Sequence, residues 1–260
     1  MFLRKKAENG VVYEYSDRLG TAHLFSTRLG GVSTDAHLAS MNLGENRGDS
    51  PDNVRTNFDL LTAVIGKSFS DTVRGGQVHS TNIRTVGYSD RGKFFESTDG
   101  FVTASEGVVL TVKVADCLPL LLFDPENRVI AAVHAGWRGS AAGICAEGIR
   151  KTRELGADPS VMRAAIGACI HSCCFEVRED FADSVRSMCG SELAHKVILH
   201  RDGRMFADIV KLNTEVLLGC GILPENIDVN PACTCCESGI YFSHRATAGR
   251  RGTMAAVISL

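Results

Sequence analysis

Three short apolar runs lie almost back to back near the middle of the chain, at residues 108–114, 118–123 and 129–133. Runs of this length, rich in Val, Ile and Leu and bounded by turn signals, predict strands buried on both faces. Ala115-Asp116-Cys117 separates the first two runs, and Asp124-Pro125-Glu126-Asn127, a type I turn signature, separates the last two. The third run ends on His134. If Asp124 and Asn127 close the turn, Cys117 faces His134 across a hairpin, to within one residue of register.

Helical periodicity marks other stretches. Val54, Phe58, Leu61 and Val64-Ile65 recur at helical spacing after a cap at Asp49 or Ser50 and a first-turn Pro51, with Arg55 beside the apolar stripe. Ala141, Ile144-Cys145, Gly148-Ile149 and Leu155 form one stripe, closed by Gly156 and Pro159. Residues 180–188 and 208–218 read as two further helices. Residues 11–25 alternate like two strands around a turn at 16–20, and 82–86, 163–170 and 253–259 read as strands. Residues 26–33, 41–49 and 90–99 read as loops, as does the segment around Gln77-Val78-His79-Ser80. Strands and helices without regular βαβ alternation, and with no repeat or linker, predict an α+β fold: one mixed-sheet sandwich domain over residues 1–260.

Composition narrows the function classes. A net charge of -2 gives no reason to expect nucleic acid, and no apolar stretch is long enough to span a bilayer. The N-terminal residues MFLRKKAENG lack the apolar core of a secretory signal, so a cytoplasmic location is expected. In that setting the ten cysteines are reduced thiols, metal ligands or core residues rather than a disulfide framework. Cys233-Thr234-Cys235-Cys236 has the look of a metal site, but a structural zinc wants four ligands and no second half lies nearby in sequence. It is read as a partly buried thiol cluster, and Cys173-Cys174 as a weaker signal still.

A thiolate beside an imidazole is either a nucleophile with its base or a pair of soft-metal ligands. The plainer alternative makes Cys117 a small core residue and His134 a hydrogen-bonded strand end. The sequence after His134, Ala135-Gly136-Trp137-Arg138-Gly139-Ser140, turns into a helix with an arginine nearby, an arrangement suited to anions.

Gln77-Val78-His79, Ala115-Asp116-Cys117-Leu118-Pro119, His134-Ala135-Gly136-Trp137-Arg138-Gly139, Ile166-Gly167-Ala168-Cys169-Ile170, Cys233-Thr234 and Ser243-His244-Arg245 together resemble the YfiH/YlmD family. Asn42-Leu43-Gly44 and Gly48-Asp49 add to the match, and the family is also called the laccase-domain or polyphenol oxidase family. The resemblance runs from about Ser26 to the C-terminus. It implies a single α/β domain, one zinc held by His79, Cys117 and His134, and purine nucleoside phosphorylase activity. Adenosine deaminase and methylthioadenosine phosphorylase activities are implied alongside. One departure is Ala168, where the family usually has proline.

The residues agree with that implication. Three N/S ligands leave a fourth zinc position for water or substrate, which is the catalytic arrangement. Asp116 is a candidate proton donor or acceptor, or an orienting group. Arg55, Arg138 and the helix start at Gly139-Ser140 are candidates for a phosphate cradle, and Asn42 and Gln77 for further substrate contacts. The partners expected are a purine nucleoside and phosphate. A multicopper oxidase would need histidines in close pairs, and no H-x-H pair occurs here. A cysteine hydrolase using Cys117 with His134 or His79 as base, serving in peptidoglycan precursor editing, is the strongest rival. A binding module with a purely structural zinc is disfavoured by the open fourth position.

Overall fold

The computed structural model describes residues 1–260. Two large sheets are stacked face to face. One has seven strands in the order Phe2–Lys6, Val12–Ser16, Ala22–Ser26, Met254–Ser259, Val109–Val114, Thr72–Gly75, Phe94–Phe95. The other has six, in the order Ile227–Val229, Arg163–Ile166, Leu118–Asp124, Val129–Ala135, Gly100–Thr103, Ile83–Thr85. Phe25, Leu110, Val112 and Ile258 of the first sheet interlock with Leu121, Phe123, Ile130 and Ala165 of the second.

Helices cover both outer faces. Helix Pro51–Ala63 packs Val54, Phe58 and Leu61 on Leu24, Val109 and Val257. Helices Ile144–Glu154, Glu179–Val197 and Ile209–Gly219 cover the other face through the largest core, with Leu120, Leu122, Ala131 and Val133 beneath them. The central hairpin is therefore sandwiched between a sheet and helices. That is why both its strands, Leu118–Asp124 and Val129–Ala135, are buried at every position, as their unbroken apolar runs predict. The result is the mixed α/β sandwich expected from the sequence.

The break at Ala115-Asp116-Cys117 is a step from one sheet to the other, because Val109–Val114 and Leu118–Asp124 belong to different sheets. The hairpin register differs from expectation. Val129 pairs with Asp124 and His134 with Pro119, so the turn holds four residues, ending at Arg128 with φ 51°. The Asp124 carboxylate accepts from the backbone N–H of Glu126 and Asn127, which turns the chain without closing the ladder at Asn127. The slip is two residues, so every side chain keeps its face. Cys117 lies diagonally beyond His134 instead of opposite it.

Ser50 caps the first helix, its side chain accepting from Asp52 N–H, with Pro51 in the first turn. The stripe at 141–155 is two helices, Trp137–Ala141 and Ile144–Glu154, parted at Gly143 with φ 84°. Apolar spacing continues across that break and does not reveal it. Among the strands the pattern misses, Phe2–Lys6 and Ile227–Val229 are exposed or half-buried throughout. Ile198–Arg201, Arg204–Ala207 and Phe94–Phe95, the last within the stretch read as a loop, are mostly so, which removes the need for apolar alternation. Thr72–Gly75 is fully buried but spans only four residues, two of them Arg74 and Gly75. No helix is long and apolar enough to cross a membrane.

Candidate active site and metal centre

The sheet-to-sheet step sets the site. Asp116 sits there at φ 85°, a left-handed conformation rare for a residue with a Cβ, and it is held by its own hydrogen bonds. Its carboxylate accepts from Thr234 Oγ1 and from Arg245 N–H, each at 2.6 Å. The step turns Cys117 outward toward His134, at the end of its strand, and His79, on the loop before Ile83–Thr85. The ligand atoms of His79, Cys117 and His134 all lie within 4.8 Å of one another. His134 is buried, Cys117 half-buried and His79 exposed, so the trio closes the floor of an open cleft.

Asp99 organises two of the three. Its fully buried carboxylate accepts from His134 Nδ1 at 2.9 Å, which leaves Nε2 of that ring for a metal or a proton. The same carboxylate accepts from the N–H groups of Val78, His79 and Ser80 and from Ser80 Oγ, fixing the loop that carries His79 at φ 62°. Burial opposes its ionisation, yet the bonds from His134 and Ser80 hold its pKa at about 2. Cys117 and His134 each favour the charged form of the other. Burial pushes the thiol up, but the neighbouring His134 and His79 rings draw it down to about 6. Burial likewise opposes the charge on His134, and the Cys117 thiolate and Asp99 raise it to about 9. Gly136 is the other requirement of the trio: a Cβ there would lie 2.2 Å from His79 Nδ1.

The cleft has two lobes that meet at His79 and Cys117. The larger, about 550 Å³, has apolar and aromatic walls from Trp137, Ile170, Phe175 and Phe181, and cationic ones from Arg47, Arg138, Arg178, Arg245 and Arg251. None of these five arginines makes an ion pair with a carboxylate, and the buried Nε of Arg251 has no partner at all. Burial, and then the charge of Arg47, depress the Arg251 guanidinium to about 10. Burial and the charge of Arg251 also hold His244, on the same wall, below the usual imidazole range. Asp116, Glu176 and Asp180 line the same lobe, so five guanidiniums face three carboxylates, and the net positive charge of the cleft suits an anion. The smaller lobe, about 230 Å³, is lined by Glu45, Gln77, Phe94 and Lys113 among others.

The structure thus brings together Cys117, Asp116, His79, His134 and Arg138 of the residues singled out in the sequence. Gln77 reaches the smaller lobe, but its amide pairs with both backbone groups of Lys113 at 2.7 Å, as an extra strand residue would. Asn42 is a correction. It is fully buried, and its side chain bonds Gly44, Asp49 and the Thr253 N–H, so it braces the fold and does not line the cleft. Arg55 is another. It is exposed on helix Pro51–Ala63 with its guanidinium over the Phe69 ring, outside both lobes. Gly139 and Ser140 are buried in the short helix Trp137–Ala141, the Ser140 N–H donates to Gly136 O at 2.8 Å, and neither residue lines the cleft.

Sequence reasoning missed Asp99, Arg47, His244 and Arg251. Asp99 ends a polar stretch that reads as solvent-facing loop, and only the fold carries it under His134. The motif Ser243-His244-Arg245 pointed at this wall without separating its residues.

The match to known proteins is extensive. Residues 22–260 fit the family model described as multi-copper polyphenol oxidoreductase laccase. The chain belongs to that family, the YfiH/YlmD family. It is 37% identical over 242 residues to the purine nucleoside phosphorylase of Deinococcus radiodurans, covering 93% of this chain and 90% of that one. Purine nucleoside phosphorylase YlmD of Bacillus subtilis is 30% identical over 245 residues, covering 91% of this chain and 87% of that one. The crystal structure of YlmD from Geobacillus stearothermophilus superposes with a TM-score of 0.90 at 30% identity, across 100% of this chain and 99% of that one. The Bacillus licheniformis YfiH structure gives 0.91 at 28% identity, across 99% of this chain and 98% of that one. The copper in the family description does not suit this donor set. Multicopper centres draw on many paired histidines, and of eight here only His79 and His134 enter a group of three or more metal-ligand side chains.

Proposed function

We propose that this chain is a zinc-dependent purine nucleoside phosphorylase acting on adenosine- and inosine-type nucleosides and on methylthioadenosine, with adenosine deaminase activity in the same cleft. The observation that carries the reading is the pairing of a three-ligand N/S trio with a wall of unpaired arginines across an aromatic cleft of nucleoside size. The names of the relatives support the phosphorylase assignment.

The donor set fits zinc: two imidazoles and a thiolate already drawn toward its charged form, with Asp99 fixing one ring. His79, Cys117 and His134 would hold the zinc ion, which would supply Lewis acidity to the cleft. Trp137 stacks on the purine beside Phe175, with the buried Phe181 ring packed behind both, and together they exclude water from the base. Arg47 and Arg251 hold hydrogen phosphate and aim one of its oxygens at C1′ of the ribose, with Arg138 at the opposite wall. The new bond joins that oxygen to C1′ as the bond from C1′ to the purine nitrogen breaks. The proton of hydrogen phosphate ends on the departing purine, giving ribose 1-phosphate and free base. The cation-lined wall offsets the phosphate charge throughout. In deamination, water adds at C6 of adenosine and ammonia leaves, with Asp116 moving the proton from the water to the departing amine.

The Cys117–His134–Asp99 arrangement also suits a cysteine nucleophile with its base and orienting acid. One experiment separates the readings: the purified chain is incubated with a nucleoside panel with and without phosphate, and products are identified by mass. Phosphate-dependent appearance of ribose 1-phosphate is expected, with zinc and activity lost together in Cys117→Ser. Base release independent of phosphate, or zinc retained in Cys117→Ser beside a covalent adduct in the wild type, would overturn the phosphorylase reading in favour of the hydrolase.

A further inference from the structure

Four cysteines that the phosphorylase chemistry does not use converge about a second point. Cys173 and Cys174 lie on the turn that follows residue 170, and Cys233 and Cys236 on a turn far along the chain. All four sulfurs lie within 4.8 Å of one another. Cys236 Sγ is 3.5 Å from Cys173 Sγ and 3.4 Å from Cys174 Sγ. Tetrahedral zinc with bonds of about 2.3 Å requires sulfurs about 3.8 Å apart, close to that spacing. Because Cys236 faces both partners at similar distance, a disulfide would satisfy one and strand the other.

We propose that Cys173, Cys174, Cys233 and Cys236 hold a structural zinc ion, distinct from the trio at His79, Cys117 and His134. The Cys233–Cys236 half has the C-x-x-C spacing of a zinc knuckle, and the missing half, absent nearby in sequence, is the vicinal pair 173–174. The backbone around the four sulfurs is prepared for a thiolate cluster. His171 N–H donates to Cys233 Sγ at 3.4 Å, and the N–H of Thr234 to Cys169 O at 2.9 Å locks the two turns side by side. Four thiolates on one divalent ion carry two excess negative charges, and two guanidiniums are anchored beside them. Arg201 donates to the carbonyls of Ser172 and Cys173 at 3.2 Å, and Arg245 to those of Cys174 and Glu176 at 2.9 Å.

The ion would be closed to substrate, with four protein ligands and no open position, so its role is mechanical. It staples the cleft wall carrying Phe175 to the turn carrying Thr234, whose hydroxyl holds Asp116. The two zinc sites would then share a wall and differ in chemistry.

The test is metal analysis of the full chain, purified without chelator, alongside a His79→Ala/Cys117→Ser double variant that removes the catalytic donor set. About two zinc ions per chain are expected in the wild type and about one in the double variant. Cobalt(II) added to the metal-depleted double variant should give the intense thiolate-to-cobalt charge-transfer bands and visible d–d bands of a tetrahedral tetrathiolate site. Adding Cys236→Ser, at an exposed position, should abolish that spectrum while circular dichroism stays unchanged. If this third change unfolds the chain, the cobalt spectrum of the folded double variant decides alone. A folded double variant without zinc or a thiolate–cobalt spectrum would overturn the proposal. So would iron in place of zinc, or a Cys236 disulfide to Cys173 or Cys174 found in unreduced peptides.

Discussion

His134 Nδ1 donates to Asp99 across 2.9 Å, and that single bond decides which nitrogen of His134 faces the cleft. Asp99 lies on the connection into strand Gly100–Thr103, which pairs with strand Val129–Ala135, the one that carries His134. Its buried carboxylate also holds the backbone of His79, so one side chain fixes two members of the trio. Asp99→Asn should weaken metal binding by roughly 10- to 100-fold, the usual cost of removing an orienting partner of a ligating histidine. Chelator competition measures it, and an unchanged affinity would show that the two rings are positioned without Asp99.

The cationic wall makes a directional prediction about phosphate. Arg251→Ala and Arg47→Ala should each raise the phosphate KM by roughly tenfold or more, as loss of a charge-assisted hydrogen bond to an oxyanion does. Deamination, which uses no phosphate, should change less. Arg55→Ala supplies the control at an exposed position and should leave both activities within about twofold. Equal loss of phosphorolysis and deamination in Arg251→Ala would assign that residue to folding instead.

Gly136 makes a steric one. Its φ of -67° suits any residue, so Gly136→Ala introduces no backbone strain. Its new Cβ would nonetheless meet His79 Nδ1 at 2.2 Å, and the exposed His79 ring is the part free to move. Metal affinity and activity should fall together while the melting temperature changes little. A fall in melting temperature with metal binding intact would place the clash in the fold rather than in the site.

His23 gives the pH dependence of stability away from the site. It is buried and neutral in the folded chain: Nε2 accepts from Ser16 N–H at 3.0 Å, and Nδ1 donates to Thr21 O at 2.7 Å. Burial depresses its pKa below the usual imidazole value, against the smaller pulls of Thr21 O and Asp228. Its contribution to stability is therefore complete above an unfolded pKa of about 6.5 and is lost as pH falls through the lower folded value. An NMR titration of the folded chain should show the His23 ring protonating below that unfolded value, with the proton on Nδ1 at neutral pH. A midpoint at or above it would remove this contribution.

Local sequence determined the pieces and their chemistry. The unbroken apolar runs of the hairpin, the Ser50 cap with Pro51, and the stripe of Val54, Phe58 and Leu61 each follow from the preferences of a few neighbouring residues. Cys117 and His134 were legible as a pair because both sit on one hairpin. Even there the true turn shifted the ladder by two residues, and only the period of two kept the pair on one face.

Tertiary structure decided which polar residues face the cleft and which serve the fold. Gln77 spends its amide on the Lys113 backbone and Asn42 on backbone groups and Asp49, and Arg55 points away, whereas Arg47, His244 and Arg251 converge on the cleft from distant parts of the chain. Asp99 meets His134, and Cys173 and Cys174 meet Cys233 and Cys236, only because distant strands pair and bring their loops together. A loop has no apolar periodicity to betray where its side chains go. Its direction is set by the strands it joins, whose long-range pairing sequence neighbours do not encode.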